Sequence, residues 1–277
     1  MNRQALIDSI SHFLAEDAGS GDLTSESIFS DDQPGHARFI ARAAFISAGM
    51  GQVAGEVFRL CNGAMVCTAI ADGTRVKEGE VLFTAAGPVI DLLRAERVAL
   101  NLVQRLCGIA TLTARFVDRV APLPVKIVDT RKTTPGLRQL EKYAVRVGGG
   151  HNHRFNLADG ILIKDNHIAA CGSIAQAVSR VRKRAPHTLK IEVEAETLQQ
   201  VEECLTAGVD IIMLDNMPPE LMRRAVNLVN GRALLEASGG ITLDNVRSVA
   251  ETGVNLISIG ALTHSAPACD ISMELEP

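Results

Sequence analysis

The 277-residue sequence has no tryptophan and a single tyrosine. Aromatic platforms for stacking on single-stranded nucleic acid are therefore not expected. It also lacks an excess of positive charge: the formal net charge is −4 and the pI about 6.0. That balance argues against a general polyanion binder. No apolar run approaches the ~20 residues that a membrane-spanning helix needs. The N-terminal stretch MNRQALIDSISHFLAEDAG lacks the continuous apolar region of a secretion signal, so a cytoplasmic location is expected. Of the six cysteines, Cys61, Cys67, Cys107, Cys171, Cys204 and Cys269, no two have C-x-x-C spacing. A structural zinc site is therefore not expected, and the thiols read as reduced core residues.

What is present is a sizeable apolar fraction, 47%, enough for one large domain or a small one plus a larger one. Charge is distributed unevenly. Between Lys126 and His167 there are eight Lys or Arg against four acids. An acidic chain that concentrates cations in one glycine-containing segment is expected to hold an anion there.

Along the chain, Leu6, Ile10, Phe13 and Leu14 share a helical face. EDAGSGDLTSESI reads as a loop, and residues 36–50 as β-like. Residues 51–63 read as a short helix with Val53, Val57 and Leu60 on one face. Short strands follow, turned at Asp72-Gly73 and Glu78-Gly79. A long helix then starts near Val89, with Leu92, Ala95, Ala99, Leu102, Leu106 and Ile109 on its apolar face and an expected break near Gly108. Arg97 follows Glu96 on it and reads first as half of a surface ion pair.

After Pro124 the texture changes. VKIVDT, GILIKD, LKIEVEAE, IIMLDN, ALLEASGG and NLISIGA alternate with helical segments, the signature of parallel βα units. Six or seven such units in about 150 residues predict a barrel, open or incomplete in places, with its chemistry at the strands' C-terminal ends. Those ends are loaded: Asp129-Thr130-Arg131-Lys132, Lys164-Asp165-Asn166, Glu192 and Glu194, Asp215-Asn216, Glu236 with Ser238-Gly239-Gly240, and Ile259-Gly260-Ala261.

Three groups emerge from these ends. Arg131, Lys132, His153, Arg154 and Lys164 are cationic, and a ligand with several carboxylates or phosphates would relieve their mutual repulsion. Glu194 and Asp215 suit Mg²⁺, sugar hydroxyls or a developing cation. The glycine-rich ends at Ser238–Gly240 and Ile259–Ala261 suit a phosphate held by backbone N–H groups. Plainer expectations stand beside these. Arg138, Lys142 and Arg146, spaced by four, read as a solvated helix face. His151 reads as solvent-facing, and His12, His36 and His187 have no motif near them. Glu192 and Glu194 are assigned to opposite faces of their strand, one inward and one structural.

The motifs DTRKTTPG, KYAVRVGGGHNHR, ILIKDNH, IEVEAE, IIMLDN, EASGGI and IGALTHS, with EDAGSGDLT and AERVALNLVQRLCGIAT before them, resemble the quinolinate phosphoribosyltransferase family over essentially the whole chain. The resemblance implies an α/β protein: an N-terminal α+β open sandwich domain over residues 1–110, with residues 266–277 packing back on it. An incomplete α/β (TIM-like) barrel would occupy 111–265. It implies transfer of phosphoribosyl from 5-phosphoribosyl 1-pyrophosphate to quinolinate, with Mg²⁺ held mainly by the pyrophosphate near Glu194 and Asp215. Arg131, His153, Arg154 and Lys164 would hold the two quinolinate carboxylates, with Thr130 beside them and Lys132 between the substrates. Glu194 and Asp215 would face the ribose, so that Lys132, Glu194 and Asp215 form the catalytic set. Ser238, Gly239, Gly240, Ile259, Gly260, Ala261 and His264 would cradle the 5-phosphate. Arg97 would enter the neighbouring site of a homodimer, larger assemblies such as a hexamer being compatible. No nucleic acid or membrane partner is implied. The rivals are a same-fold paralogue with another acceptor, a different sugar-phosphate barrel enzyme, and a non-enzymatic anion binder.

Overall fold

The computed structural model describes residues 2–276. By contacts the chain divides into two compact units, one of Met1–Ala114, Thr134–Gly149 and Ser265–Pro277, the other of Arg115–Thr133 and Gly150–His264.

The first unit begins with α1 (Arg3–Ala18), capped by the Asn2 side chain and burying Leu6 and Ile10. The segment expected as a loop contains a short helix, α2 (Leu23–Ile28). Asp22 makes it possible by accepting from the Ser25 N–H at 3.1 Å. Then come β1 (Pro34–Ala41), β2 (Phe45–Ile46), a π-helical turn at Met50–Ala54, α3 (Gly55–Cys61), β3 (Val66–Ala69), β4 (Arg75–Val76) and β5 (Val81–Pro88). On α3 Val57 is buried, but Leu60 is largely exposed, so the expected apolar face is narrower than its spacing suggested. The main sheet, ordered β12-β1-β5-β3, includes β12 (Ile271–Glu276) and is antiparallel. Its core is a cluster of Phe39, Phe58 and Phe83, with ring centroids 5.1–5.8 Å apart.

The long helix α4 (Val89–Val120) buries the apolar face read from its sequence. It runs unbroken through Gly108. The glycine serves close approach instead, since a Cβ there would lie 1.9 Å from the Pro267 carbonyl oxygen. The segment 134–149, expected within the barrel, clusters with the first unit through α5 (Arg138–Val147). Fully buried Glu141 accepts from Arg105 at 2.6 Å, Tyr143 hydrogen-bonds Asp72, and Gly148 abuts Ala110. Lys142 is 2% exposed. The solvated-face reading therefore fails for it, because α5 is covered over Leu140–Val145.

The second unit contains six parallel strands: β6 (Lys126–Val128), β7 (Ile161–Ile163), β8 (Ile191–Ala195), β9 (Ile211–Asp215), β10 (Leu234–Ser238) and β11 (Leu256–Ser258). Their order, β6-β11-β10-β9-β8-β7, is the cyclic order of a barrel opened between β6 and β7. Beside the opening, exposed His151 makes a single parallel bridge to Val128. The connecting helices are α6 (Asp165–Cys171), α7 (Ile174–Arg182), α8 (Leu198–Ala207), α9 (Pro219–Val229), α10 (Val246–Ala250) and α11 (Ala261–His264). Their ends follow local chemistry. Thr197 and Gln200 form a capping box on α8, Pro219 opens α9, and Gly208 and Asn230 close these two helices in the left-handed region.

Alternation along the strands separates the two faces. Val193, Ile212, Leu214, Leu235, Ala237 and Ile257 are buried hydrophobes. The residues between them are largely polar and line cavities at both ends of the barrel. Barrel interiors are usually filled by branched apolar side chains, so this polar interior marks a working surface.

Candidate active site

At the C-terminal ends of the six strands lies a cavity of about 820 Å³. Its wall includes Thr130, Arg131, Lys132, His153, Arg154, Lys164, Glu194, Asp215, Ser238, Gly239, Gly240, Ile259, Gly260, Ala261 and His264. Every residue that the family resemblance assigns to the site is there except Arg97, which lies on α4 with its side chain 57% exposed and 3.9 Å from Glu96. At that distance and exposure the pair is weak.

The cationic side is built by the opening in the barrel. Asp129, fully buried just beyond β6, accepts from Asn152 Nδ2 at 2.6 Å and from the His153 N–H at 2.9 Å. These bonds pin the segment that carries His153 and Arg154. Arg154 donates to the Gly160 carbonyl at 2.8 Å. Partial burial and nearby Arg131 pull the Arg154 pKa down, while Glu192 and Glu194 oppose the shift. Two guanidinium groups so placed favour an anionic ligand between them. Lys132 is held by its backbone: its N–H donates to Thr130 Oγ1 at 3.0 Å and its carbonyl accepts from Thr263 Oγ1 at 2.7 Å.

On the acidic side, Lys164 Nζ lies 2.8 Å from Glu194 Oε1. Asp215 accepts from Asn216 Nδ2 at 3.0 Å. Burial first, then the Glu194 charge, raise the Asp215 pKa, with Lys164 and Lys132 working against them. Asp215 is thus the carboxylate short of positive charge, which suits a cation arriving with a ligand.

At these glycine ends Gly239 is sterically required and Gly260 is tightly enclosed. Gly239 has φ +93°, and a Cβ there would sit 2.1 Å from Asn216 Oδ1. At Gly260 a Cβ would crowd Lys132 Cδ and His264 Nε2 at 3.0 and 3.1 Å. Backbone can therefore approach a ligand where a side chain could not.

Glu192 corrects the sequence reading. Residues two apart on a strand share a face, and both Glu192 and Glu194 line interior cavities. Glu192 lies 3.1 Å from His153 Nε2, with Glu236 on β10 at 3.6 Å from the same atom. Burial and the Glu192 charge push the Glu236 carboxyl up to about 7, while His153 and Ser258 oppose the shift. Sequence reasoning recognised Glu236 only as part of a loaded strand end. Its position two residues before Ser238 was the available signal that it points inward. Asn216, which supports Asp215, was visible only as part of its strand end, and Thr263, which supports Lys132, had no sequence signal of its own.

The fold and this cavity define a barrel enzyme whose site receives a ligand, or ligands, of several negative charges. The chain belongs to the quinolinate phosphoribosyltransferase family: the family's N-terminal domain matches residues 22–107 and its C-terminal domain residues 109–274. It is 49% identical over 275 residues to a Bacillus subtilis protein named "Probable nicotinate-nucleotide pyrophosphorylase (carboxylating)", covering 99% of this chain and 95% of that one. It is 43% identical over 275 residues to the Mycobacterium leprae protein named "Nicotinate-nucleotide pyrophosphorylase (carboxylating)", with 97% and 96% covered. A solved structure of NadC from Streptococcus pyogenes superposes with a TM-score of 0.95 at 42% identity, covering 99% of this chain and 98% of that one. The N-terminal α+β unit and incomplete barrel are thus the family's fold.

Proposed function

We propose that the chain transfers phosphoribosyl from 5-phosphoribosyl 1-pyrophosphate to quinolinate, with decarboxylation. The products are nicotinate mononucleotide, pyrophosphate and carbon dioxide, and the reaction serves NAD biosynthesis. The observation that carries this is the convergence of Arg131, His153, Arg154 and Lys164 on a cavity also walled by the glycine ends of β10 and β11, in a chain of this family. The alternative, a same-fold paralogue with a different acceptor, finds no support among the relatives, which are named for the carboxylating reaction.

In this reading the cationic side takes the two carboxylates of quinolinate, each charge-assisted bond contributing about 1.5–3 kcal/mol. Ser238, Gly239, Gly240, Ile259, Gly260, Ala261 and His264 take the 5-phosphate, chiefly through backbone N–H groups. Glu194 and Asp215 face the ribose hydroxyls and stabilise positive charge as it develops at the anomeric carbon. Lys132, steadied by Thr130 and Thr263, neutralises the departing pyrophosphate. Mg²⁺ bound to pyrophosphate supplies further neutralisation of that leaving group, with Asp215 the protein carboxylate suited to face it. Loss of the carboxylate beside the ring nitrogen follows, because the newly cationic ring accepts the electrons left behind. No covalent enzyme intermediate is required, so positioning and electrostatics carry the catalysis. We place the enzyme in the cytoplasm as a homodimer, with exposed Arg97 reaching the acceptor of the neighbouring subunit.

Purified protein given Mg²⁺, quinolinate and phosphoribosyl pyrophosphate is expected to release carbon dioxide. Turnover of nicotinate with none of quinolinate would move the assignment to a paralogous transferase.

A further inference from the structure

Beneath the cationic side, His153, Glu192 and Glu236 bring their ring nitrogen and carboxylate oxygens within 4.8 Å of one another. Both glutamates are at least nine-tenths buried. Nδ1 of His153 accepts from the Arg154 N–H at 2.8 Å, so the ring proton resides on Nε2. Nε2 then donates to Glu192 Oε2 at 3.1 Å, with Glu236 Oε1 at 3.6 Å. That leaves two buried oxygens with no hydrogen-bond partner, Glu192 Oε1 and Glu236 Oε1.

Two ionised carboxylates here would repel each other in a site shielded from water. They would also leave two buried acceptors unsatisfied, which is unfavourable in a site shielded from water. A single carboxylic proton removes one of the two charges and with it the repulsion. We propose that Glu236 keeps a proton beside Glu192, and that this buried neutral carboxyl helps to fix His153 and sets the charge of the acceptor floor. Glu236 is a positioning residue in this arrangement. The titratable and polar groups facing it are Glu192 from β8, His153, Asp129 from the end of β6 and Ser258 from β11.

The consequence for binding rests on the functional reading above. Glu236 and His153 line the strand-end cavity. They also line a second cavity of about 660 Å³ bounded by Lys126, Lys190 and Leu256 near the strands' N-terminal ends. The pair is therefore a partition between the substrate side and the lower mouth. With the proton in place, an acceptor carrying two negative charges meets one charge fewer below it. Loss of the proton at higher pH adds a negative charge and weakens acceptor binding. The effect belongs in the KM for quinolinate more than in kcat.

Infrared difference spectroscopy of the full chain between pH 6 and 8.5 tests the Glu236 proton without any substrate. A carboxylic-acid C=O band at pH 6 that fades toward pH 8.5 and is missing from Glu236→Gln is expected. Absence of that band in the wild-type protein would overturn the proposal, whether or not the enzyme turns over. So would one tightly held metal ion per chain that replaces the proton. For the acceptor, the KM for quinolinate is expected to rise between pH 6.5 and 8.5, by at most about 25-fold for a single ionisation with a pKa near 7. The corresponding rise in Glu236→Gln should stay below about threefold. Equal rises in both proteins would overturn the charge effect on binding. A band of the expected behaviour in a protein that does not consume quinolinate would leave the Glu236 proton standing and remove the assigned acceptor.

Discussion

Lys164 donates from Nζ to Oε1 of Glu194 at 2.8 Å, across the ends of adjacent strands β7 and β8. A cation assigned to quinolinate and a carboxylate assigned to the ribose are therefore each other's partner before either substrate arrives. In the proposed reaction, substrate binding would be an exchange in which the acceptor carboxylate takes Lys164 and the sugar takes Glu194. Losing one charge-assisted bond of about 1.5–3 kcal/mol raises the quinolinate KM of Lys164→Ala by roughly 10–100-fold. Glu194→Gln should instead lower kcat by about 100-fold, as for loss of a group aimed at developing charge. The double variant should fall short of the product of the two effects, because each single change strands the other's partner. Steady-state kinetics with each substrate varied in turn is the measurement. A Lys164→Ala defect confined to phosphoribosyl pyrophosphate would contradict the exchange.

Gly239 and Gly240 are adjacent, both have positive φ, and they should respond differently to alanine. At Gly239 the added Cβ collides with Asn216 Oδ1 and lies 3.0 Å from the Asn216 nitrogen. Asn216 is itself left-handed, with φ +53°, and donates to Asp215. The collision is therefore passed to a proposed catalytic carboxylate. At Gly240 a Cβ meets nothing within 4 Å, leaving only the left-handed backbone cost, about 1–2 kcal/mol. Gly239→Ala is expected to raise the KM for phosphoribosyl pyrophosphate by about tenfold or more and to lower kcat, with a loss of stability of at least the 1–3 kcal/mol typical of backbone strain. Gly240→Ala should be the milder of the two by both kinetics and melting temperature. The reverse order would show that the clash with Asn216 is relieved without consequence.

Much of this site could be read from the sequence because strand ends are local features. Short apolar runs terminating in charged or glycine residues placed Arg131, Lys164, Glu194, Asp215 and Gly239 on one rim, where the structure has them. What escaped depends on contacts distant in sequence. Lys142 shares a four-residue spacing with Arg138 and Arg146, but spacing cannot tell what covers a helix, and Lys142 is buried. A glycine inside a helix reads as a weak point, yet Gly108 answers to the Pro267 backbone, over 150 positions away in the sequence. Glu192 and Glu236 read from the sequence only as members of charged strand ends, with Glu192 set on the face opposite Glu194. They are inward because this barrel has a polar interior, and His153 reaches them from the segment beside the opening between β6 and β7. The resemblance to a known family named the outer ring of this site and was silent about the acids beneath it.

Arg97 is the site residue proposed to act on a neighbouring subunit. Its side chain is mostly exposed and held only loosely by Glu96, so extending it toward another chain sacrifices little. If each site draws Arg97 from the partner and Lys132 from its own barrel, a mixed dimer of Arg97→Ala and Lys132→Ala subunits contains one intact site. Mixing the two inactive proteins is expected to restore up to about a quarter of the wild-type activity per site when subunits pair at random. Each variant alone should stay inactive. No recovery after verified subunit exchange would count against the shared site.

The Glu192–Glu236 pair also predicts how stability changes with pH. The folded-state pKa of Glu236 is raised from its ordinary value of 4.5 to about 7 by burial and by Glu192. The folded chain therefore binds this proton more tightly than the unfolded chain does. Between those two values the unfolded state has released the proton while the folded state retains it. The unfolding free energy consequently falls as pH rises through that window, and the loss is complete above about pH 7. Glu236→Gln keeps a neutral side chain of the same shape and has no such titration. The variant should gain on the wild type as pH rises from 5 to 8, by about 2–4 °C in melting temperature for each kcal/mol involved. Calorimetry at matched ionic strength would show this as a widening gap between the two melting temperatures. A gap that stays constant across the range would mean that Glu236 does not hold the proton in the folded protein.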